Sequence, residues 1–266
     1  AGRSDKAEYY KDAAAKLGAA AVRDFPAGYW DAAAGRFIDW IDGKGNPHDH
    51  IHLLANELPC LFGLADEEQQ KAAAKTVEEN DAVFSKFPSY VAAKIEDYTD
   101  SEIGTGGPYD LCAAGRYWCW DARYKAFMKD GAALLRQLLQ VTAQAETDNY
   151  LMGERYDMNY VYYTDDKNWH GAALYYEYPC VFLYVLVTQY LGVSAGFDCD
   201  VIIKPLIIGG GTVALPNFGV QYAVKPDSFT LKNLKDTAIT ADIDLTGIGM
   251  AFAGRVTVEG NGKITI

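Results

Sequence analysis

The chain has 266 residues, half of them hydrophobic, enough for a sizeable core in one large domain or two smaller ones. Its net charge of −12, from 36 acids against 24 bases, argues against nucleic acid, which rewards basic patches. No apolar run reaches a membrane-spanning length; the longest, from Cys180 to Val187, is broken by Thr188-Gln189.

Residues 4–23 are rich in Ala, Lys and Glu and read as a helix capped by Ser4. The first long loop, 24–48, runs from Tyr29-Trp30-Asp31 through Gly35 to Arg36-Phe37-Ile38-Asp39-Trp40 and closes on Asp42-Gly43, the pattern of a small hairpin. An apolar helix follows over 49–63. Asp66-Glu67-Glu68 then opens a polar helix that reaches about Asn80, with acids in the first turn, where the helix dipole favours them. A second loop, 81–109, carries Tyr90, Glu96, Asp97, Tyr98, Asp100, Glu102 and the Gly104-Thr105-Gly106-Gly107-Pro108 hinge. An apolar helix over 110–128 and a polar one over 131–147 are expected next. The third loop, 148–168, holds Glu154-Arg155-Tyr156-Asp157 and leads to an apolar helix from Trp169 to Leu191. Beyond Gly196, residues 201–203, 220–224, 241–245 and 256–258 read as strands of a small antiparallel sheet or sandwich. Gly209-Gly210-Gly211 is a turn rather than a phosphate loop, because neither Lys-Ser/Thr nor a helix follows it.

The helices repeat. Cys60, Cys119 and Cys180 fall 59 and 61 residues apart in the three apolar helices, and Glu57-Leu58-Pro59-Cys60-Leu61-Phe62 returns as Glu177-Tyr178-Pro179-Cys180-Val181-Phe182. Short turns close each hairpin at one end and long loops at the other, and function is expected on the loop face. Apolar helices covered by polar ones make the expected fold mainly α, with three α/α hairpins in an arc over 1–196 and a small β domain over 197–266. Four of the five cysteines lie in apolar helical stretches, as free thiols do in a reducing compartment. A cytoplasmic location is therefore expected. Secretion stays open, because the chain begins Ala1-Gly2-Arg3, without Met or signal peptide, as if cut from something longer.

Three segments carry a resemblance. Tyr29-Trp30-Asp31 through Gly35-Arg36-Phe37 is the first, and Trp118-Cys119-Trp120 followed by Leu134-Leu135 is the second. The third runs from Trp169-His170-Gly171-Ala172 to Tyr190-Leu191-Gly192-Val193. Together they resemble the last three hairpins and the C-terminal β domain of the six-hairpin (α/α)6-barrel glycosidases, with the rhamnosidase-like members nearest in layout. The resemblance covers nearly the whole chain. It implies half of an α/α toroid, six helices where a full barrel has twelve. It further implies a glycoside hydrolase, inverting, acting on a plant or microbial oligosaccharide without a cofactor. An N-terminal half or a second chain would complete the barrel. The general base falls at about Glu154, with Arg155 and Asp157 beside it, and inverting members usually carry the general acid in the earlier half.

Glycoside hydrolysis needs two carboxylates. Besides Glu154, Asp100 and Glu102 lie beside the Gly-rich hinge as a candidate acid or as sugar ligands. Glu57 and Glu177 each stand inside an apolar helix two residues before a proline, where an ionised carboxylate is costly unless paired; each either points into the barrel centre or satisfies neighbouring amides. Aromatic faces suit the C–H faces of sugars, so Trp30, Trp40, Tyr98, Tyr156 and Trp169 are candidate platforms. In His48-Asp49-His50-Ile51-His52, residues i, i+2 and i+4 of a strand would share a face. His52 is expected to open the helix and break that geometry, so sugar hydrogen bonding by His50, His52 or His170 is expected rather than a metal. Other readings remain open: a non-catalytic carbohydrate-binding or scaffold module, a lyase using Tyr and His, or a phosphorylase drawing on Arg36, Arg116, Arg123 and Arg155.

Overall fold

In the computed structural model, residues 3–103, 111–156 and 174–266 are described. They fall into two compact units, one within Ala1–Tyr124 and Gly153–Ala173, the other within Lys125–Met152 and Leu174–Ile266.

The first unit opens with α1 (Ser4–Ala21), which buries only Gly18. Ser4 is already helical; Arg3 holds the capping position without a side-chain bond, so the expected Ser4 cap does not form. The first loop contains two hairpins rather than one. Strands β1 (Trp30–Asp31) and β2 (Arg36–Phe37) pair Trp30 with Phe37, and β3 (Trp40–Ile41) and β4 (Pro47–His48) pair Trp40 with His48. His52, in extended conformation, opens α2 (Leu53–Leu61), which starts later than position 49. Helix α3 (Glu67–Glu79) begins at a full capping box, with the Asp66 side chain accepting from the Gln69 amide and the Gln69 side chain from the Asp66 amide. Trp30, Phe37, Cys60, Ala65, Ala73 and Tyr124 pack into one core.

The second loop holds short elements that its composition hides. Helix α4 (Asp81–Phe84), a 3₁₀ turn at Ile95–Asp97 and α5 (Asp100–Ile103) all fall within it. Backbone bonds from Leu53 to Val91 and from Ala93 to Ile51 tie this loop to the start of α2. Strand β5 (Ala113–Ala114) runs straight into α6 (Gly115–Phe127) and pairs with β6 (Arg155–Tyr156).

In the second unit, α7 (Gly131–Thr147) has Asp130 accepting from the Ala133 amide. Helix α8 (Glu177–Tyr184) continues as a π-helical turn over Val185–Tyr190. The expected start of that helix at Trp169 lies outside the described residues. Strands β7 (Val193–Ser194), β8 (Val201–Ile203), β12 (Ile239–Asp244) and β13 (Ala253–Val258) form one sheet, in the order β13-β12-β8-β7. Strands β9 (Gly211–Leu215), β10 (Val220–Lys225), β11 (Ser228–Asn233) and β14 (Lys263–Thr265) form the other, in the order β14-β11-β10-β9. The sheets are not purely antiparallel, because β12 and β8 run parallel. Alternate residues of β10, β11 and β12 (Val220 and Tyr222, Phe229 and Leu231, Ile239, Ala241 and Ile243) share one core, the period-2 signature of a half-buried strand.

The contacts divide the chain elsewhere than at residue 196. Helices α7 and α8 go with the sheets, because Leu206 N donates to Tyr190 O, Lys204 N to Gly192 O and the Tyr222 hydroxyl to Leu191 O. The repeated Glu-x-Pro-Cys motif also divides. Glu57 and Cys60 are buried within α2. Glu177 is only half-buried, in the first turn of α8 where the dipole favours an acid, and Cys180 is exposed.

Candidate functional site

Side chains from three segments of the first unit converge. The β3–β4 hairpin presents Trp40 and His48, with their rings stacked 3.8 Å apart at 10°. Asp42, in its turn, accepts from the Lys44 and Asn46 amides and lies 3.9 Å from His48 Nε2. Two residues on, His50 faces the same way and stacks on Tyr98 at 3.8 Å. The intervening Asp49 goes to the other face, where Arg36 holds it through two bonds. The third segment is Thr99-Asp100-Ser101-Glu102. The Glu102 carboxylate reaches back to the start of its own short helix, Oε2 accepting from Thr99 N at 2.6 Å and from Thr99 Oγ1 at 2.7 Å, in the manner of a capping box. Oε1 is thereby presented to the histidines, and His48 Nδ1 and His50 Nε2 each lie 2.6 Å from it.

The electrostatics follow from these contacts. Burial works to raise the Glu102 pKa, but the bonds from His50, Thr99 and His48 outweigh it and hold the carboxyl at about 2. In this setting Glu102 is ionised at neutral pH and is an acceptor of hydrogen bonds. Burial and the charge of Asp39 push the Tyr98 hydroxyl up, so it stays protonated and donates to Asp39 at 2.7 Å. Burial drives the His52 pKa down and leaves a neutral ring, whose Nδ1 has no hydrogen-bond partner among the described residues.

A second arrangement surrounds Glu154. The β5–β6 ladder sets Arg155 opposite Ala114, one residue ahead of α6. The Glu154 carboxylate, 13 % exposed, thereby lies 2.9 Å from Arg155 Nη1 and 3.8 Å from Arg116 Nη1.

The sequence-expected residues thus part company. Trp40, His50, Tyr98 and Glu102 come together. Trp30, 8 % exposed, packs edge-on against Phe37, and Tyr156, 1 % exposed, meets Phe87 while its hydroxyl accepts from the Gly153 amide. Neither ring offers a face to a sugar; both were drawn into the core by the strands that carry them. Glu57 is fully buried in α2. Glu177 belongs to the second unit. Asp100 opens α5, and its side chain, like Asp157, Trp169 and His170, lies outside the described residues. Asp39 and Thr99 were missed, although Thr99-x-x-Glu102 is a legible capping signature.

Among the described residues, two groups could hold a metal ion: His48, His50 and Glu102, and Asp198, Cys199 and Asp242. In the second, the Arg255 guanidinium already pairs with Asp242 and Asp198.

Neither a family model nor a curated protein matches the chain. Among solved structures, it is similar to a GH78 family rhamnosidase of Bacillus sp. GL1, at 16% identity and a TM-score of 0.44. That likeness covers 76% of this chain and 19% of the rhamnosidase, so the chain spans about a fifth of that enzyme's length.

Proposed function

We propose that the chain is part of an inverting (α/α)6-barrel glycoside hydrolase in which Glu154 is the general base. The observation that carries this is the setting of Glu154, a carboxylate only 13 % exposed that keeps two arginines beside it. Arg155 and Arg116 place positive charge beside that carboxylate and fix its direction, as a group that activates a water requires. Trp40, His50 and Tyr98 supply stacked rings and hydrogen-bonding edges for an oligosaccharide, and Glu102 acts as an acceptor for hydroxyls. The acid comes from Asp100 or from an earlier half of the barrel, in the same chain or a partner. The phosphorylase reading has less support, since Arg36 is taken by Asp49, Arg155 by Glu154, and Arg123 lies over the Trp120 ring. Free cysteines suit a cytoplasmic location. No helix among the described residues is long and apolar enough to cross a membrane.

The test is proton NMR of the first-formed sugar when the purified protein, with any chain that copurifies, is offered a panel of aryl glycosides. The reading expects one substrate class to be cleaved with inversion. A product of retained configuration contradicts the inverting assignment, and no cleavage across the panel contradicts the hydrolase.

A further inference from the structure

We infer that His48 Nδ1, His50 Nε2 and Glu102 Oε1 form a binding site for a divalent first-row transition metal, with Zn²⁺ the best-suited ion. This goes beyond the hydrolase reading and does not depend on it. Two imidazole nitrogens, from the end of β4 and from two residues beyond it, converge on a single carboxylate oxygen, each at 2.6 Å, and the three ligand atoms lie within 4.8 Å of one another. Three donors crowded on one point can be held by protons or by a cation, and two nitrogens with one carboxylate oxygen are a borderline set that favours Zn²⁺ over the all-oxygen ligation of Ca²⁺ or Mg²⁺.

The surroundings fix the ligands as a metal site needs. Thr99 pins the far oxygen of Glu102, so the near one has a set direction. Trp40 and Tyr98 stack on the two imidazoles and hold their planes. Asp42 stands 3.9 Å from the other ring nitrogen of His48, too far for a direct hydrogen bond but near enough for its charge to act on that ring. Glu102 is 5 % exposed while His48 is 26 % exposed, so the carboxylate is nearly buried and solvent reaches the site at His48. Three protein ligands leave a coordination position for water or a ligand hydroxyl. His52 opens α2 and is not in the group, so the i, i+2, i+4 pattern contributes two ligands and the capping turn supplies the third.

The probe is Zn²⁺ alone, titrated calorimetrically at neutral pH into chelator-treated protein, with cobalt substitution as a spectroscopic readout. The expected result is one saturable Zn²⁺ per chain and a visible cobalt absorption band. H50A and E102Q should each weaken binding by more than ~100-fold and abolish the band, and D42N by roughly 10-fold, the scale of outer-shell changes. E102Q keeps the size of the side chain, so it reports on the site if H50A fails to fold, as judged by circular dichroism. Absence of saturable binding, or affinity unchanged in both H50A and E102Q, overturns the proposal. Either outcome leaves the Glu154 assignment to its own test, because E154Q leaves the metal ligands intact.

Discussion

Asn233 shows how much one polar side chain can carry. It is fully buried at the end of β11, with Nδ2 donating to the carbonyls of Thr237, Val258 and Glu259 and Oδ1 accepting from the Lys235 amide. Replacing it by Ala leaves buried backbone groups without partners, at about 2 kcal/mol or more. The N233A variant should unfold at a clearly lower urea midpoint, and an unchanged midpoint would mean that water replaces the amide. Nothing in the sequence singled this residue out, because a buried Asn and a turn Asn read alike. The same limit applied at the site. Trp40, His50, Tyr98 and Glu102 were legible as residue types on loops, but Asp39 and the pinning of Glu102 by Thr99 depend on which segments meet, and Trp30 and Tyr156 read as platforms until their strands buried them.

At the scale of elements, stop and start signals decided what could be read. Helix α3 begins where Asp66 and Gln69 form their box, and α7 begins after Asp130, so both were placed nearly to the residue. D66A should cost about 1 kcal/mol, measured as a shift in the denaturation midpoint, and no shift would mean that the box is not formed in solution. The short helices at 81–84 and 100–103 were invisible, since four residues give no periodicity. Strands β10 and β12 showed their alternation, whereas β9 hid behind the Gly209-Gly210-Gly211 turn. Gly192 closes the π-helical turn with φ +71°, and a Cβ there would stand 2.0 Å from Lys204 O. G192A should destabilise the protein by more than ~1 kcal/mol; a neutral effect would show that this close approach is absent.

At the scale of the whole molecule, the acids set the response to pH. The hydroxyl of Thr246 holds the Asp244 pKa down, the amide of Thr240 that of Asp200, and the Arg255 guanidinium that of Asp242. Each folded-state pKa is below the unfolded one, so the unfolded chain binds more protons as the pH falls. The stabilisation is complete above the ordinary Asp value of about 4 and is lost below it. The thermal midpoint should therefore fall on acidification through that range, less steeply in D244N, and a midpoint indifferent to acid would contradict the contacts. The hairpin repeat was legible because cysteines and prolines recur with it, but the fate of each copy was not: Glu57 is interior to a helix and Glu177 begins one. The central claim rests on Glu154 and is tested most directly by the kcat of E154Q on the substrate the protein cleaves, with sugar affinity measured alongside. The account predicts a loss of at least ~100-fold in kcat with affinity retained. An unchanged kcat would contradict it.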